Sequence, residues 1–440
     1  MTHTSTTATL PASGKQGKLK TIFGTGVGNA LEWFDWNIYA IFATYFAPQF
    51  FNGADKTSAL LSTLAVFAVG FVARPFGGFL FGWISDRMGR KFSMALSVGV
   101  AAIGSIVIGV SPTYGAIGAG ASLILVVARL VQGLAHGGEL PSAQTYISEY
   151  APRERRGLWS SLIYISGTTG VLVGTFLAAI LSLALSKTEM GSFGWRIPFI
   201  LGGLFGLYAL FMRMRMTESK VFTDDVVVPG KSAKARIWPA IAAHKKQAGQ
   251  VIGLTVGLTV VYYAWAVSAP AHAIATRGIH PTAAFWAGVV ANVIFILTLP
   301  LWGKLSDRVG RKPILITGAL GTAVLLFPLN AIIGHSAVML AVAMSIAMIF
   351  IAMGAAIVPA VYAEMFPTHI RTIAVGIPYS ICVAAFGGTA PYLQELIGAS
   401  LGPAWFTAYV IILLLVSAAV ISRLPETKGT RLHEDAHDIV

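Results

Sequence analysis

Four ionisable side chains interrupt the apolar stretches of the amino-terminal half of this sequence. Glu32 and Asp35 lie three positions apart, which places them on one face of a helix. Arg74 and Arg129 follow in two later apolar stretches. A carboxyl group held away from water can take up and release a proton near neutral pH, and a guanidinium binds carboxylates through two hydrogen bonds. We predict that Glu32 and Asp35 bind protons and that Arg74 and Arg129 bind an anion. The alternative is that these groups only neutralise one another.

A polar stripe follows Arg129 in the same stretch. Gln132, His136 and Glu139 are spaced by four and three positions, so they share one helical face. An unperturbed imidazole titrates near pH ~6.5, so His136 could relay protons; the alternative is an uncharged, hydrogen-bonded histidine. We predict that His136 and Glu139 take part in proton coupling and that Gln132 contacts the substrate.

The carboxyl-terminal half offers aromatic and amide groups rather than charges in its apolar stretches. Tyr263 and Trp265 lie in the first of these stretches, Asn292 in the second and Tyr379 in the fifth. We predict that they shape the substrate pocket, with simple packing as the alternative for the aromatic rings.

Helices that cross a lipid bilayer must position these groups. Hydrophobic residues make up 55% of the chain and charged residues only 11%, whereas soluble domains carry about 25% charged residues. A bilayer-spanning helix needs about 20 apolar residues. Twelve stretches qualify, at roughly 21–46, 58–84, 92–111, 117–148, 158–184, 195–215, 246–275, 282–302, 313–333, 337–363, 372–398 and 403–423.

The distribution of the basic residues, which give the chain a net charge of +13, indicates how it is oriented in the membrane. Of the 31 Lys and Arg residues, 25 fall in the termini and in alternate connections, and only Lys56, Lys187 and Arg277 lie on the other side. Such a bias predicts that both termini are cytoplasmic, and it leaves no basic patch to suggest nucleic acid. Cys382 is the single cysteine, so no intrachain disulfide can form.

Two sequence motifs occur once in each half. Gly-x-x-Ser-Asp-Arg-x-Gly-Arg-Lys begins at Gly82 and returns 221 residues later at Gly303. Glu-x-x-Pro-x-x-x-Arg begins at Glu149 and returns 215 residues later at Glu364. Duplication of this kind is typical of transporters built from internal repeats. We predict a tail over 1–20, a six-helix bundle over 21–215, a cytoplasmic linker over 216–245, a second bundle over 246–423 and a tail over 424–440.

The charged residues of these motifs suit a gate that holds the two bundles together on the cytoplasmic side. Each Asp can pair with arginines or face the positive end of a neighbouring helix; the alternative is an anchor that only fixes topology. The predicted gate consists of Asp86, Arg87, Arg90, Asp307, Arg308, Arg311, Glu149, Arg156, Glu364 and Arg371.

The motifs carry a family resemblance. The duplicated Ser-Asp-Arg-x-Gly-Arg-Lys, the Arg-x-x-Gln-Gly from Arg129 and the Pro-Glu-Thr at 425–427 resemble the major facilitator superfamily. Gly28–Asp35, Arg74–Gly78, Gly194–Phe199 and Ala363–Pro367 are similar to its metabolite:proton symporter family. The resemblance implies an all-α membrane protein with twelve transmembrane helices in two pseudo-symmetric six-helix bundles.

It also implies a secondary active transporter that works by rocker-switch alternating access. The expected cargo is a small organic acid, a dicarboxylate such as alpha-ketoglutarate, moved together with a proton. The alternative is a proton-coupled carrier of a zwitterionic osmolyte of the proline or betaine type. We expect a monomer surrounded by lipid in a bacterial inner membrane, without cofactor or metal, and not an enzyme, because the sequence has no motif of a metalloprotease, nucleophile elbow or phosphate loop.

Overall fold

A computed structural model of the chain describes residues 14–51, 55–88, 90–137, 139–214, 244–367 and 370–432. These residues form twelve helical rods, of which three are broken. The bounds are α1 Gly14–Phe50, α2 Lys56–Met88, α3 Arg90–Val110, α4a Ala119–Ala135 with α4b Glu139–Tyr150, α5 Arg156–Ala184, α6 Arg196–Met214, α7a Lys245–Tyr262 with α7b Ala269–Arg277, α8 Pro281–Val309, α9 Arg311–Ile333, α10 Ala337–Glu364, α11a Arg371–Cys382 with α11b Ala390–Ser400, and α12 Pro403–Arg423.

The rods confirm the predicted all-α fold. Short helical turns at Tyr114–Ile117, Arg153–Arg155, Lys187–Glu189 and Met190–Gly194 connect some of them. The predicted tail over 1–20 lies largely outside the described residues, as do most of the predicted linker over 216–245 and the end of the second tail. The domain boundaries therefore stay a prediction.

Length and apolarity explain most of the rods. Within the described residues, ten helices are long and apolar enough to cross a membrane, and α4a is a shorter apolar helix. The helix α1 is not among the ten because Asn29, Glu32, Asp35 and Asn37 lower its hydropathy. All four are at most 6% exposed, so their polar groups lie against protein rather than lipid.

Small residues allow the closest helix contacts. A Cβ built on Gly133 of α4a would lie 2.0 Å from the carbonyl oxygen of Gly70 on α2. Between the two halves, a Cβ on Gly303 of α8 would lie 2.5 Å from the carbonyl oxygen of Gly157 on α5. The first contact brings Arg74 beside α4a, and the second joins α5 to α8.

Two helices of the carboxyl-terminal half are interrupted by π-helical turns. Tyr263–Ser268 separates α7a from α7b, and Val383–Gly387 separates α11a from α11b. Proline follows each turn, at Pro270 and Pro391, and proline removes a backbone hydrogen bond of the helix interior. Such turns often occur at functional sites, and here they divide both helices near the predicted pocket.

Candidate functional site

The structure places Arg74 and Glu32 in direct contact at the centre of the amino-terminal half. Arg74 Nη2 lies 2.6 Å from Glu32 Oε1, and the two side chains are 8% and 1% exposed. The guanidinium carbon lies 4.6 Å from the centre of the Trp36 ring and 4.5 Å from that of Phe71. The aromatic faces favour the cation, and the carboxylate neutralises it. We call these two residues the central pair.

A second network lies beside the central pair. Asp35 accepts hydrogen bonds from the Ser105 hydroxyl and, at 2.8 Å, from the Gln132 amide, while Arg129 Nη1 lies 3.4 Å from its Oδ2. Arg129 also donates to Gln132 at 2.8 Å and stacks within 4.5 Å of the Trp36 ring. Arg129 is fully buried and lies against Asp35. This geometry agrees with the alternative in which the buried charges only neutralise one another.

His136 ends α4a next to the central pair. Its Nδ1 lies 4.0 Å from Glu32 Oε2, too far for a hydrogen bond but close enough for one after a small movement. Its Nε2 is buried and has no hydrogen-bond partner among the described residues. His136 can therefore exchange a proton with Glu32 only after rearrangement or through water. The side chain of Glu139 is outside what the structure describes.

An aromatic layer covers the central pair on the side of the carboxyl-terminal half. Trp33 of α1 lies 5.2 Å from Tyr262 and 6.0 Å from Tyr263, measured between ring centres. Phe71 of α2 meets Tyr263 edge-on at 5.4 Å, and Tyr164 of α5 lies 5.8 Å from Tyr262. We define the aromatic layer as Trp33, Phe71, Tyr164, Tyr262 and Tyr263. It joins the two halves and contacts the central pair through Phe71, which lies against the Arg74 guanidinium.

The remaining predicted pocket residues lie in different places. Asn292 is fully buried, donates to the Gly288 carbonyl, and its Oδ1 has no hydrogen-bond partner among the described residues. Tyr379 lies 6.1 Å from Tyr362, between ring centres, within the carboxyl-terminal half. Trp265 lines a separate cavity of that half. Tyr263 meets the central pair through Phe71, whose ring lies between them in this chain of contacts.

The two Glu-x-x-Pro-x-x-x-Arg motifs pair with each other across the halves. Arg156 Nη1 lies 2.9 Å from Glu364, and Arg371 Nη1 lies 2.5 Å from Glu149. Each arginine thus contacts the glutamate of the other repeat. Three of the four residues are at most 3% exposed, and a buried pair is strongly destabilised when one partner is removed.

The second Ser-Asp-Arg motif completes this cluster. Arg311 bridges Asp307 at 2.7 Å and Glu364 at 3.2 Å. Asp307 also accepts hydrogen bonds from the backbone amides of Gly157 and Leu158, at 2.8 and 2.9 Å. These amides begin α5, where a helix presents its positive end. We call Glu149, Arg156, Asp307, Arg311, Glu364 and Arg371 the latch, and the end of the molecule that holds it the latch end.

The first Ser-Asp-Arg motif is only partly described. Arg87 stacks on Trp83 at 4.2 Å, whereas the side chains of Asp86 and Arg90 are outside the described set. Arg308 is exposed, and its backbone carbonyl accepts a hydrogen bond from Lys428 at 2.6 Å.

The carboxyl-terminal tail adds contacts to the latch that the sequence did not predict. Thr427 donates to Glu364 at 2.6 Å, and the Thr430 carbonyl accepts from Arg156 at 3.1 Å. Glu426 accepts from the backbone amides at the start of α9, Arg311 at 2.8 Å and Lys312 at 3.1 Å. Partial burial raises the pKa of the Glu426 carboxyl, but the backbone amides of Arg311, Lys428 and Lys312 and the charge of Arg311 together leave the pKa below its usual value. The only sequence signal was the Pro-Glu-Thr echo.

Comparisons with known proteins agree with this architecture. The family model described as "Sugar (and other) transporter" matches residues 21–237 and 248–438. The chain is 32% identical to the alpha-ketoglutarate permease of Escherichia coli (strain K12) over 428 residues, 96% of this chain and 98% of that protein. It is 31% identical to the ectoine/proline transporter ProP of Corynebacterium glutamicum over 395 residues, 86% of this chain and 77% of that protein. A solved structure of the xylose transporter XylE from E. coli, partially occluded and inward open, superposes with a TM-score of 0.72 at 19% identity over 94% of this chain and 99% of that chain.

Proposed function

This chain belongs to the sugar (and other) transporter family of the major facilitator superfamily, and from that premise we propose that it is a proton-coupled symporter of a small organic acid. Membership confirms the superfamily indicated by the motifs, the multi-pass membrane fold and the expectation of a transporter rather than an enzyme. The finer statements about substrate, proton and site residues are the proposal.

The central pair carries the proposal. Arg74 and Glu32 form a buried, neutral ion pair at 2.6 Å. A substrate carboxylate that pairs with Arg74 brings a second negative charge beside the Glu32 carboxylate. A proton on Glu32 removes its charge and frees Arg74, so a proton and an anion bind together more readily than either binds alone. Asp35 is held by Ser105, Gln132 and Arg129, so we assign the coupling proton to Glu32 and a supporting role to the second network.

Alternating access follows from what joins the halves. The latch ties them at one end through crossed ion pairs, and the aromatic layer ties them at the centre. We propose that opening at the latch end exposes the central pair, and that the charge bias of the sequence places this end in the cytoplasm. The division into two bundles, the linker and a monomeric state belong to the same proposal.

The lead substrate is a dicarboxylate such as alpha-ketoglutarate, the compound named for the permease that this chain resembles. One carboxylate would bind Arg74, and the other would meet the tyrosine hydroxyls of the aromatic layer.

A zwitterionic osmolyte is the second candidate, and the aromatic layer favours it. Trp33, Tyr262 and Tyr263 lie within 6.1 Å of one another, between ring centres, and such rings attract ammonium groups by cation–π interactions. A carboxylate on Arg74 and an ammonium on these rings would fit a molecule of the proline or betaine type.

One experiment tests the proposal and separates the candidates. Purified protein in proteoliposomes is given a pH gradient and labelled alpha-ketoglutarate, succinate, proline or glycine betaine. We expect accumulation of one class that collapses when a protonophore removes the gradient. Uptake that ignores the gradient would refute proton coupling, and no accumulation of either class would refute the substrate proposal.

A further inference from the structure

A partly exposed histidine–glutamate pair in the carboxyl-terminal half belongs neither to the central pair nor to the latch. His272 Nδ1 of α7b lies 2.6 Å from Glu395 Oε1 of α11b. Both helices begin beyond their π-helical turns, at the end of the molecule opposite the latch. Ionisable groups inside membrane spans are costly, so they usually serve a function. Nothing in the proposed central mechanism uses this pair.

The side chains of this pair are partly exposed, so water can reach them, whereas Glu32 of the central pair is almost fully buried. The His272 and Glu395 side chains are 19% and 15% exposed, compared with 1% for Glu32. A cavity of about 50 Å³ adjoins His272, and its polar lining includes Arg277, Asn330, Gln394 and Thr407. These groups can hold water by hydrogen bonds.

The size of the cavity decides what it can hold. Its volume is far below the roughly 300–1,000 Å³ of small-molecule pockets. It can take about three to five water molecules, since each needs about 10–15 Å³ by this measure. Water that reaches an ion pair can deliver protons to it, but an organic acid does not fit.

We propose that the His272–Glu395 pair is a second proton-binding site of this carrier, filled through water from the end opposite the latch. The proposal rests on the proton-coupled transport inferred above. A hydronium ion in the cavity gives its proton to the pair and becomes water. In the ion pair the His272 ring already carries its proton, so the Glu395 carboxylate accepts the new one; the net charge of the pair rises by one, and the attraction between opposite charges is lost.

Proton uptake at this site would loosen two moving segments. The pair connects α7b to α11b, and the 2.9 Å hydrogen bond from Ser268 to Gln394 connects the turn before α7b to α11b. These segments pack against α1 and α2 of the other half. Loss of the ionic bond leaves the neutral Ser268–Gln394 bond, so protonation favours separation of the two segments.

Other charges at this end define the surroundings of the site. The titratable or charged groups on the elements that pack around it, at this end of the molecule, are Arg277 on α7b, Tyr392 on α11b, Tyr45 on α1, Asp55 and Lys56 before and in α2, Tyr409 on α12, His280 before α8 and His335 before α10.

The test compares Glu395→Gln with the matched control Ser268→Ala, which removes the Ser268–Gln394 bond without changing the cavity lining. Both remove a bond between α7 and α11b, but only the first removes a titratable group. In oriented proteoliposomes, the transport of whichever labelled probe the wild type accumulates, alpha-ketoglutarate or glycine betaine, is measured against pH on the side opposite the latch. We expect Glu395→Gln to lower the slope of log(kcat/KM) against pH by about one, and Ser268→Ala to keep the wild-type slope.

An unchanged slope in Glu395→Gln would overturn the proposal, as would an equal loss in Ser268→Ala, which would mark a structural tie. A second measurement needs no transport. Infrared difference spectra between high and low pH should show a protonated-carboxyl band in the wild type that is missing from Glu395→Gln. Identical spectra of the two proteins would also overturn the proposal, whereas failure of pH-driven accumulation in the wild type would instead refute the proposed function.

Discussion

Replacement of Glu32 by Gln tests the coupling mechanism most sharply. The side chain keeps its shape but loses its charge, so Arg74 stays buried beside a neutral partner. Removal of one partner from a buried ion pair costs about 3–5 kcal/mol. A substrate carboxylate that pairs with Arg74 would restore part of this lost free energy. Recovery of about 2–3 kcal/mol would tighten anion binding about 30- to 140-fold, at tenfold per 1.4 kcal/mol.

The assay separates exchange from accumulation. In proteoliposomes, Glu32→Gln should exchange labelled for unlabelled substrate across the membrane but should not concentrate it under a pH gradient. Its melting temperature should fall without substrate and recover with it. Glu154→Gln, which neutralises an exposed carboxylate, serves as the control and should accumulate substrate like the wild type. Gradient-driven accumulation by Glu32→Gln with the wild-type pH dependence would refute the mechanism.

Three further predictions concern the latch and the helix packing. Glu364→Gln should weaken the latch and raise cysteine labelling of engineered sites near the central pair from the latch end; unchanged labelling would contradict its role. The lowered pKa of Glu426 means that its stabilising contribution is present above the usual value of 4.5 and is lost as pH falls below it. The melting temperature of Glu426→Gln should therefore lie below that of the wild type at neutral pH, and the difference should vanish in acid; a constant difference would argue against this capping role. Gly133→Ala should abolish folded protein in size-exclusion chromatography because its Cβ would meet backbone 2.0 Å away, whereas Gly249→Ala, with nothing within 4 Å, should fold normally.

The sequence predicted the helices well because the bilayer sets their length. Apolar stretches of about 20 residues give the same boundaries whatever their neighbours are. The sequence also indicated that the charges inside these stretches need partners, and the structure pairs Arg74 with Glu32 and Arg129 with Asp35. The sequence did not predict which charged residues pair with each other, because pairing depends on how the helices pack. Glu149 and Arg156 belong to one motif, yet each contacts the other repeat.

The direction in which each side chain leaves its helix was the second feature that the sequence did not predict. Glu32 and Asp35 were predicted to act together, but their positions differ by 60° around α1 and by about 4.5 Å along it. Glu32 therefore faces α2, and Asp35 faces α3 and α4a. Tyr263 stacks on Trp33, whereas Trp265 lines a separate cavity, as a spacing of two positions around a helix allows; the π-helical turn that holds both residues was not predicted. No spacing rule for an α-helix would have shown the turn.

Proton uptake on substrate binding tests the central claim most directly. The purified protein in weakly buffered detergent solution is mixed with its substrate, and a pH-sensitive dye counts the protons bound per protein. We predict that Glu32→Gln takes up about one proton fewer than the wild type at neutral pH. Equal proton uptake by the two proteins would contradict the assignment of the coupling proton to Glu32.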